Sequence, residues 1–235
     1  MNASPDGCAI IFDLDGTLVD SAPDIAVSVA YAVQLVGKQP PSLETIKGYI
    51  GNGADRLIHR SLTNDHNGVA DIALFIKVRA YFFEHYGENF CRYSTPYIDV
   101  DQTLTELCNR DYKLACVTNK PNRFTDGLLR HLGLDHFFPV VLSGDTLDEK
   151  KPAPNQLLYV ANHYGITPGH CVMVGDTRTD ILAAKNANMS SVYVTYGYGN
   201  ITDIELNDPL AIVDSLSEIV DLLPNMRLGT VGIKT

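Results

Sequence analysis

The feature that most constrains the fold is an alternation of short apolar runs with amphipathic stretches along the second half of the chain. Strand-like runs occupy residues 113–118, 140–142, 171–174 and 191–194. Helical patterns occupy residues 100–109, 123–132, 155–164 and 179–187. This alternation is typical of parallel βαβ units, and the runs are apolar at successive positions, as strands buried on both faces require. The sequence therefore predicts an α/β fold with a doubly wound, Rossmann-like parallel sheet.

A helical region separates the first apolar run, at residues 10–12, from the alternating part. Helix-start signals stand at residues 20–24, where a proline falls in the first turn, and at Ser42. The predicted helices cover residues 25–36, a short stretch after Ser42, residues 54–62 and residues 69–86. We therefore predict a core domain of residues 1–20 and 96–235, with an inserted all-helical domain of residues 21–95 whose hinges lie near residues 20–22 and 95–99.

The composition indicates a globular protein with an acidic surface. Hydrophobic residues make up 45% of the 235 positions, which suffices for a packed core, and the formal net charge is −10. Because nucleic acids and anionic membranes bind basic surfaces, we expect neither as a partner. The five cysteines are scattered, without zinc-ligand spacing, and neither a targeting signal in residues 1–7 nor a membrane-length apolar run is visible. We therefore expect a cytoplasmic location.

Acidic residues follow two of the apolar runs. Asp13 and Asp15 end the first run, directly before Gly16, whereas Asp176 and Asp180 follow a later one. In parallel sheets ligands bind beyond the carboxyl ends of the strands, so we expect these carboxylates to converge. Such a cluster repels itself unless a cation binds, and oxygen ligands suit Mg²⁺. The alternatives are a polar turn at residues 13–16, a helix cap at Asp176 and a solvated surface position at Asp180.

Other polar residues accompany the acids in chain order. Thr118, Asn119 and Lys120 follow the strand-like run at residues 114–117, and Lys150 and Lys151 precede Pro152. The segments Asp13-Leu14-Asp15-Gly16-Thr17, Thr118 after a strand, Lys151-Pro152, and Gly175-Asp176 with Asp180 resemble the four motifs of the haloacid dehalogenase superfamily. The resemblance covers the α/β core nearly end to end, and the helical insertion resembles the mobile cap of that superfamily.

The resemblance implies a reaction and a role for each acid. Asp13 would be the nucleophile that forms an aspartyl-phosphate, and Asp15 would protonate the leaving oxygen and then activate water. An acid at the position of Asp15 fits phosphatases and phosphomutases, because dehalogenases lack one there and transport ATPases carry threonine. The implied cofactor is Mg²⁺, held by the Asp13 carboxylate, the Asp15 carbonyl and Asp176, with Asp180 next to it.

The same resemblance assigns phosphate-binding residues. Thr118 and Lys151 would stabilise the charge of the transferring phosphoryl group. We favour Lys151 over Lys150, since the family pattern places the lysine directly before proline. Asn119 is expected to contact the phosphate or the attacking water, whereas Lys120 is left open between a site residue and a surface residue.

The insertion should select the substrate. The turn of Gly51, Asn52 and Gly53 precedes a helix start, where free backbone N–H groups favour an anion such as a small carboxylate. Arg56 and Arg60 follow it and are candidates for pairing with that carboxylate; the alternatives are a plain loop and two exposed arginines. Five segments are similar to superfamily members that hydrolyse 2-phosphoglycolate: residues 20–24, 51–55, 118–121, 151–154 and 195–199. We therefore predict hydrolysis of this ester to glycolate and phosphate.

Three alternatives to that function are compatible with the sequence. The chain could hydrolyse another small phosphate ester or pyrophosphate, or it could be a sugar phosphomutase that returns the phosphoryl group to substrate. A third alternative is a non-catalytic protein that binds phosphorylated metabolites. In each case the partner is a small phosphorylated metabolite, and the oligomeric state is left as a monomer or a homodimer.

Overall fold

The computed structural model describes residues 7–203 and 209–223. Its strands are β1 (Ala9–Phe12), β2 (Val19–Asp20), β3 (Thr95–Pro96), β4 (Lys113–Val117), β5 (Val140–Leu142), β6 (Cys171–Gly175), β7 (Ser190–Val194) and β8 (Ala211–Val213). Six of them form a parallel sheet in the order β5-β4-β1-β6-β7-β8. The expected absence of a targeting signal concerns residues 1–7, of which residues 1–6 lie outside the described part, so it stays an expectation.

Strand β1 is central in the sheet and is buried on both faces. Ile10 and Phe12 belong to one hydrophobic cluster, whereas Ala9 and Ile11 belong to another on the opposite face. This division follows from the two-residue repeat of a strand, and it requires apolar residues at every position. The predicted doubly wound α/β class is therefore confirmed. The parallel pairing of β4, β1 and β6 brings the residues that follow these strands to one edge of the sheet.

The first eight helices lie close to the predicted ranges, and a ninth, near the end of the described residues, was not predicted. They are α1 (Ala22–Gln34), α2 (Leu43–Lys47), α3 (Ala54–Thr63), α4 (Ile72–Asn89), α5 (Val100–Asn109), α6 (Asn122–His131), α7 (Asn155–Tyr164), α8 (Arg178–Asn186) and α9 (Ile219–Leu222). Helix α4 begins three residues later than predicted, because the Asp71 side chain caps it by accepting a hydrogen bond from the Leu74 N–H at 3.0 Å. Among the described residues, no helix has the length and apolarity needed to cross a membrane.

Helices α1–α4 pack around a hydrophobic cluster of their own. It contains Ile25 and Val29 of α1 and Phe82 and Tyr86 of α4, and Phe124 of α6 joins it from the sheet-bearing part. The chain enters and leaves this helical region through β2 and β3, which pair antiparallel. This short pair was not predicted, because two-residue strands carry no readable apolar pattern.

A buried carboxylate ties the two connecting segments together. Asp24, in the first turn of α1, accepts hydrogen bonds from the backbone N–H groups of Tyr93 and Ser94 at 2.8–3.0 Å and from the Ser94 hydroxyl at 2.6 Å. Its location at the helix start also favours a negative charge. The two ends of the helical region are therefore held together by polar contacts close to β2 and β3.

Candidate active site

Residues from the sheet and from the helical insertion line one cleft with an empty volume of about 490 Å³. Its core lining is Asp13, Asp15, Thr118, Asn119, Lys120, Pro121 and Phe124. The insertion contributes Ile25, Ile50, Gly51, Gly53, Ala54, Leu57, Phe82 and Tyr86. The cleft is thus lined by polar residues at the strand ends and by mostly apolar residues of α1, α3 and α4. The glycine turn before α3 also lines it.

Asp13 stands directly beyond β1. Its backbone N–H donates to the Val174 carbonyl at 2.9 Å, so the sheet pairing continues to this residue. Lys151 Nζ lies 2.8 Å from Asp13 Oδ1 but is poorly directed for a hydrogen bond, and no described residue donates a hydrogen bond to this buried oxygen. Burial raises the pKa of Asp13 to about 7; the charges of Asp180 and Asp15 act in the same direction, and Lys151 opposes them.

The loop after Asp13 brings the first acidic motif against Asp176. Gly16 adopts φ +92°, and a Cβ atom there would collide with the Asp176 carboxylate. Glycine is therefore required for both the left-handed conformation and the close approach. The next residue, Thr17, donates from its hydroxyl to Asp176 Oδ1 at 3.0 Å, and the Tyr198 N–H donates to Oδ2 at 2.7 Å.

The carboxylate of Asp15 is held by hydrogen bonds from two side chains. The Ser21 hydroxyl donates to Asp15 Oδ1 at 2.5 Å, and Lys120 Nζ donates to the same oxygen at 2.9 Å. Asp15 and Lys120 are both buried. Lys120 therefore lies at the cleft in contact with Asp15 and is not a surface residue.

Lys151 lies between Asp13 and Asp180. Its Nζ donates to the Val117 carbonyl at 2.6 Å and to Asp180 Oδ1 at 2.7 Å. The other oxygen of Asp180 accepts from the Thr177 N–H at 3.0 Å and the Thr177 hydroxyl at 2.6 Å, a capping box that starts α8. A helix cap at Asp176 and a solvated Asp180 are therefore wrong, since Thr177 is the cap and Asp180 is 1% exposed.

The acidic cluster has the donor set of a divalent cation site. Carboxylate oxygens of Asp13, Asp176 and Asp180 lie within 4.8 Å of one another. With Asp15 they make four buried carboxylates against the two buried ammonium groups of Lys120 and Lys151, a deficit of two positive charges if all are ionised. Burial, followed by the charges of Asp180 and Asp13, raises the pKa of Asp176 well above its ordinary value. Oxygen donors and this charge deficit fit Mg²⁺.

We expect Mg²⁺ to stabilise the folded protein against unfolding. Mass action predicts about 2.7 kcal/mol at a free concentration one hundred times the dissociation constant. Thermal unfolding in MgCl₂ and in EDTA measures this effect. Asp176→Asn should lose the response, whereas exposed Asp135→Asn should keep it. Equal melting temperatures with and without Mg²⁺ in the unmodified protein would contradict the prediction.

The glycine turn of the insertion contacts the core directly. The Gly51 carbonyl accepts from Asn119 Nδ2 at 2.8 Å, and the same amide donates to the Lys151 carbonyl at 2.9 Å. Asn52 Nδ2 donates to the Thr179 hydroxyl at 3.0 Å. Gly53 precedes α3 with φ +89° and lines the cleft. The structure thus brings Gly51 and Gly53 to the cleft, places Asn52 against α8, and uses the Asn119 amide to join insertion and core.

The two candidate arginines of α3 are directed elsewhere. Arg56 donates to the carbonyls of His66 and Gly68 at 2.8 and 2.9 Å. Arg60 is buried and donates to the carbonyls of His66 and Tyr49 at 2.8 and 2.9 Å. The contacts to His66 and Gly68 hold the loop after α3, and the contact to Tyr49 holds the segment before α3. Neither guanidinium group contacts the described carboxylates of the site. The alternative of two exposed helix arginines is also wrong for Arg60, which is buried.

Sequence reasoning missed three polar contacts around the cleft. The helical spacing of Tyr86 indicates packing between helices, yet its hydroxyl accepts from Lys120 Nζ at 2.7 Å. Ser21 is recognisable in the sequence only as part of a helix start. The Tyr198 hydroxyl accepts from the N–H groups of Ser21 and Ala22 at 2.8 and 2.9 Å and donates to Asp20 at 2.7 Å. Apart from the position of Lys120 next to Thr118 and Asn119, no local sequence pattern indicated these contacts.

The fold and the site define a class of proteins. Residues 10–194 match the family described as haloacid dehalogenase-like hydrolase. The chain belongs to this family.

Individual relatives are similar over nearly the whole chain. A phosphoglycolate phosphatase of Nitrosococcus oceani is 39% identical over 214 residues, covering 91% of this chain and 95% of the relative. A phosphoglycolate phosphatase of Neisseria meningitidis is 39% identical over 218 residues, covering 92% and 93%. Among solved structures, a predicted phosphoglycolate phosphatase from Haemophilus somnus superposes with a TM-score of 0.85 at 35% identity, covering 92% of this chain and 98% of the other.

Proposed function

We propose that this chain is a phosphoglycolate phosphatase that hydrolyses 2-phosphoglycolate to glycolate and phosphate. One observation supports the reaction type: Asp13, Asp15 and Lys151 meet Asp176 and Asp180 at one edge of the sheet. The substrate assignment is supported by the relatives that bear this name and by the small cleft, in which the start of α3 faces the two acids.

In the proposed mechanism Asp13 acts as the nucleophile. An oxygen of its carboxylate attacks phosphorus, the bond from phosphorus to the glycolate oxygen breaks, and that oxygen takes a proton from Asp15. Asp15 then removes a proton from a water molecule, whose oxygen attacks the aspartyl-phosphate. The phosphorus–oxygen bond to Asp13 breaks, phosphate leaves, and both carboxyl groups return to their starting states.

The remaining residues stabilise charge during phosphoryl transfer. Lys151, fixed by the Val117 carbonyl, lies beside Asp13 and is placed to neutralise a phosphoryl oxygen, and Thr118 lines the cleft. We propose Asp13, Asp176 and the Asp15 carbonyl as ligands of Mg²⁺, with Asp180 beside them. When bound, Mg²⁺ supplies positive charge that lets an anionic nucleophile approach an anionic phosphate.

Phosphate release from a panel of small esters in the presence of Mg²⁺ tests the substrate. We expect kcat/KM for 2-phosphoglycolate to exceed that for sugar phosphates and pyrophosphate by about tenfold or more, since one well-placed anion contact contributes roughly 1.4 kcal/mol or more. A sugar phosphate or pyrophosphate at the top of the ranking would replace the substrate assignment and leave the phosphatase reaction intact.

A sugar phosphomutase and a non-catalytic binding protein would each give a different result in the same assay. The phosphomutase would need a bisphosphate activator and would convert one sugar phosphate into another, so steady release of inorganic phosphate without an activator argues against it. The binding protein would release no phosphate from any ester, although it would still bind phosphorylated metabolites.

We also propose that residues 21–95 act as a cap that opens and closes over a core of residues 1–20 and 96–235. A disulfide tests this: Asn52→Cys with Thr179→Cys replaces side chains that now meet at 3.0 Å across the two parts. Because substrate must enter and water must then be excluded, we expect oxidation to reduce turnover about tenfold or more, and reduction to restore it. The single-cysteine variants are the controls, and unchanged turnover after confirmed cross-linking would reject cap motion.

We propose a cytoplasmic site for the reaction. The chain's five cysteines are all free, which fits a reducing compartment. Assembly as a monomer or as a homodimer is left open, and light scattering coupled to gel filtration distinguishes the two.

A further inference from the structure

Lys120 is a buried ammonium group that connects the insertion to the acid/base residue. Its Nζ donates to Asp15 Oδ1 at 2.9 Å on the core side and to the Tyr86 hydroxyl of α4 at 2.7 Å on the insertion side. The Lys120 side chain is 3% exposed, so both contacts are made away from bulk water. Tyr86 is buried too, and its ring stacks on Phe82 and packs against Phe124. The acceptor that α4 offers to Lys120 therefore has a fixed position.

Asp15 needs orientation for the reaction proposed above. It must give a proton to the leaving oxygen and then take one from water, so one of its oxygens has to lie within hydrogen-bond distance of the leaving oxygen and then of the attacking water. Asp15 Oδ1 is already occupied by the Ser21 hydroxyl and by Lys120 Nζ. These two donors fix the rotation of the carboxylate, and among the described residues Oδ2 accepts only a longer hydrogen bond of 3.3 Å from Lys120 Nζ.

We propose that Lys120 is a positioning residue that holds the Asp15 carboxylate in its working orientation, and that Tyr86 of the insertion holds Lys120. This inference rests on the proposed function. Its consequence is that the acid/base residue is aligned when α4 lies over the cleft, since Tyr86 is the one described acceptor that the insertion offers to this ammonium group. Closure of the insertion and alignment of Asp15 are then one event.

A different role for Lys120 would be recognition of the substrate carboxylate. Lys120 is the one basic side chain among the described residues that line the cleft, which gives this rival its basis. Two of the three ammonium donors are, however, already directed to Asp15 and Tyr86. The contacts therefore favour positioning over recognition, and a comparison of two substrates distinguishes them.

The test compares 2-phosphoglycolate with ethyl phosphate, an ester of similar size that lacks the carboxylate. Lys120→Met keeps the apolar stem and removes the ammonium group. We expect its kcat to fall about 100-fold with both esters, the usual contribution of a positioned acid or base, while each KM stays within about threefold of the unmodified protein. Exposed Lys113→Met, on β4, is the matched control. A loss confined to 2-phosphoglycolate and expressed in KM would overturn positioning in favour of carboxylate recognition.

Tyr86→Phe is the milder variant, because it removes one hydroxyl and keeps the ring packing. We expect kcat to fall about fivefold, as the loss of one hydrogen bond predicts, and Tyr81→Phe on the same helix to leave kcat unchanged. The hydroxyl of Tyr81 makes no hydrogen bond with any described residue. No change in kcat for Tyr86→Phe would reject the link between α4 and Lys120.

Double mutants show whether these residues act through Asp15. In the Asp15→Asn background, neither Lys120→Met nor Tyr86→Phe should lower kcat further, whereas independent roles would make the losses multiply. The Tyr86→Phe cycle decides the question even if Lys120→Met fails to fold. If the unmodified protein releases no phosphate from any ester, the proposed function fails; if it is active and the losses multiply, only the positioning role fails.

Discussion

Asp13→Asn is expected to abolish phosphate release, with kcat falling about 10⁵-fold or more, as for the removal of other covalent nucleophiles. The amide that replaces the carboxylate cannot form the aspartyl-phosphate. No other described carboxylate stands at this position directly after β1. The assay is continuous phosphate release with 2-phosphoglycolate and Mg²⁺, supplemented by acid-quench detection of the phosphorylated enzyme, which should be absent from the variant.

The control for this variant is Asp126→Asn, because Asp126 is exposed on α6 and the substitution makes the same chemical change away from the cleft. Asp13→Asn should remain folded, since it removes one charge from a cluster whose members repel each other. A Tm equal to or above that of the unmodified protein in EDTA would establish this. Phosphate release at an unchanged rate would reject Asp13 as the nucleophile.

Lys151→Met is expected to have the largest combined effect on stability and activity. Lys151 is almost fully buried, and its Nζ lies 2.8 Å from Asp13 and 2.7 Å from Asp180. Removing one partner of a buried pair leaves uncompensated charge, which costs about 3–5 kcal/mol. Burial lowers the pKa of Lys151, but Asp13 and Asp180 more than offset this and raise it overall, so the group is charged at neutral pH. Urea unfolding in EDTA measures the stability.

Activity should fall with the same substitution even where the variant is folded. The phosphoryl group loses the cation that Lys151 would supply, and removal of such a stabilising group lowers kcat by about 100-fold or more. Lys150→Met is the matched control for the adjacent lysine; its Nζ lies near Gly53 and forms no ion pair with a described acid. Comparable losses for the two variants would contradict the choice of Lys151 as the motif lysine.

Some parts of the site were predictable because they depend on short segments of chain. The run before Asp13 is apolar at every position since β1 is buried on both faces, and the polar residues follow immediately. The capping box of Thr177 and Asp180 is likewise local, although its meaning was not recognised. Strand β8 was missed because Ile212 is half exposed and the three residues carry no distinctive pattern.

Other parts depend on how distant segments pack. Arg56 and Arg60 follow the glycine turn directly, yet their direction is set by carbonyl groups of the loop after α3, which no spacing rule reports. Tyr86 shows the opposite case: its helical spacing correctly indicated packing, but only the approach of α4 to Lys120 gives its hydroxyl a polar partner.

By itself, the sequence determined the α/β core, the helical insertion and the acidic residues at the strand ends. These follow from periodic burial and from polar residues next to apolar runs, which are properties of neighbouring positions. The tertiary structure alone decided which charges meet. It paired Lys120 with Asp15 and Lys151 with Asp13 and Asp180, and it turned Arg56 and Arg60 away from the cleft. Electrostatic interactions depend on distance in space and on burial, and both are properties of the folded chain.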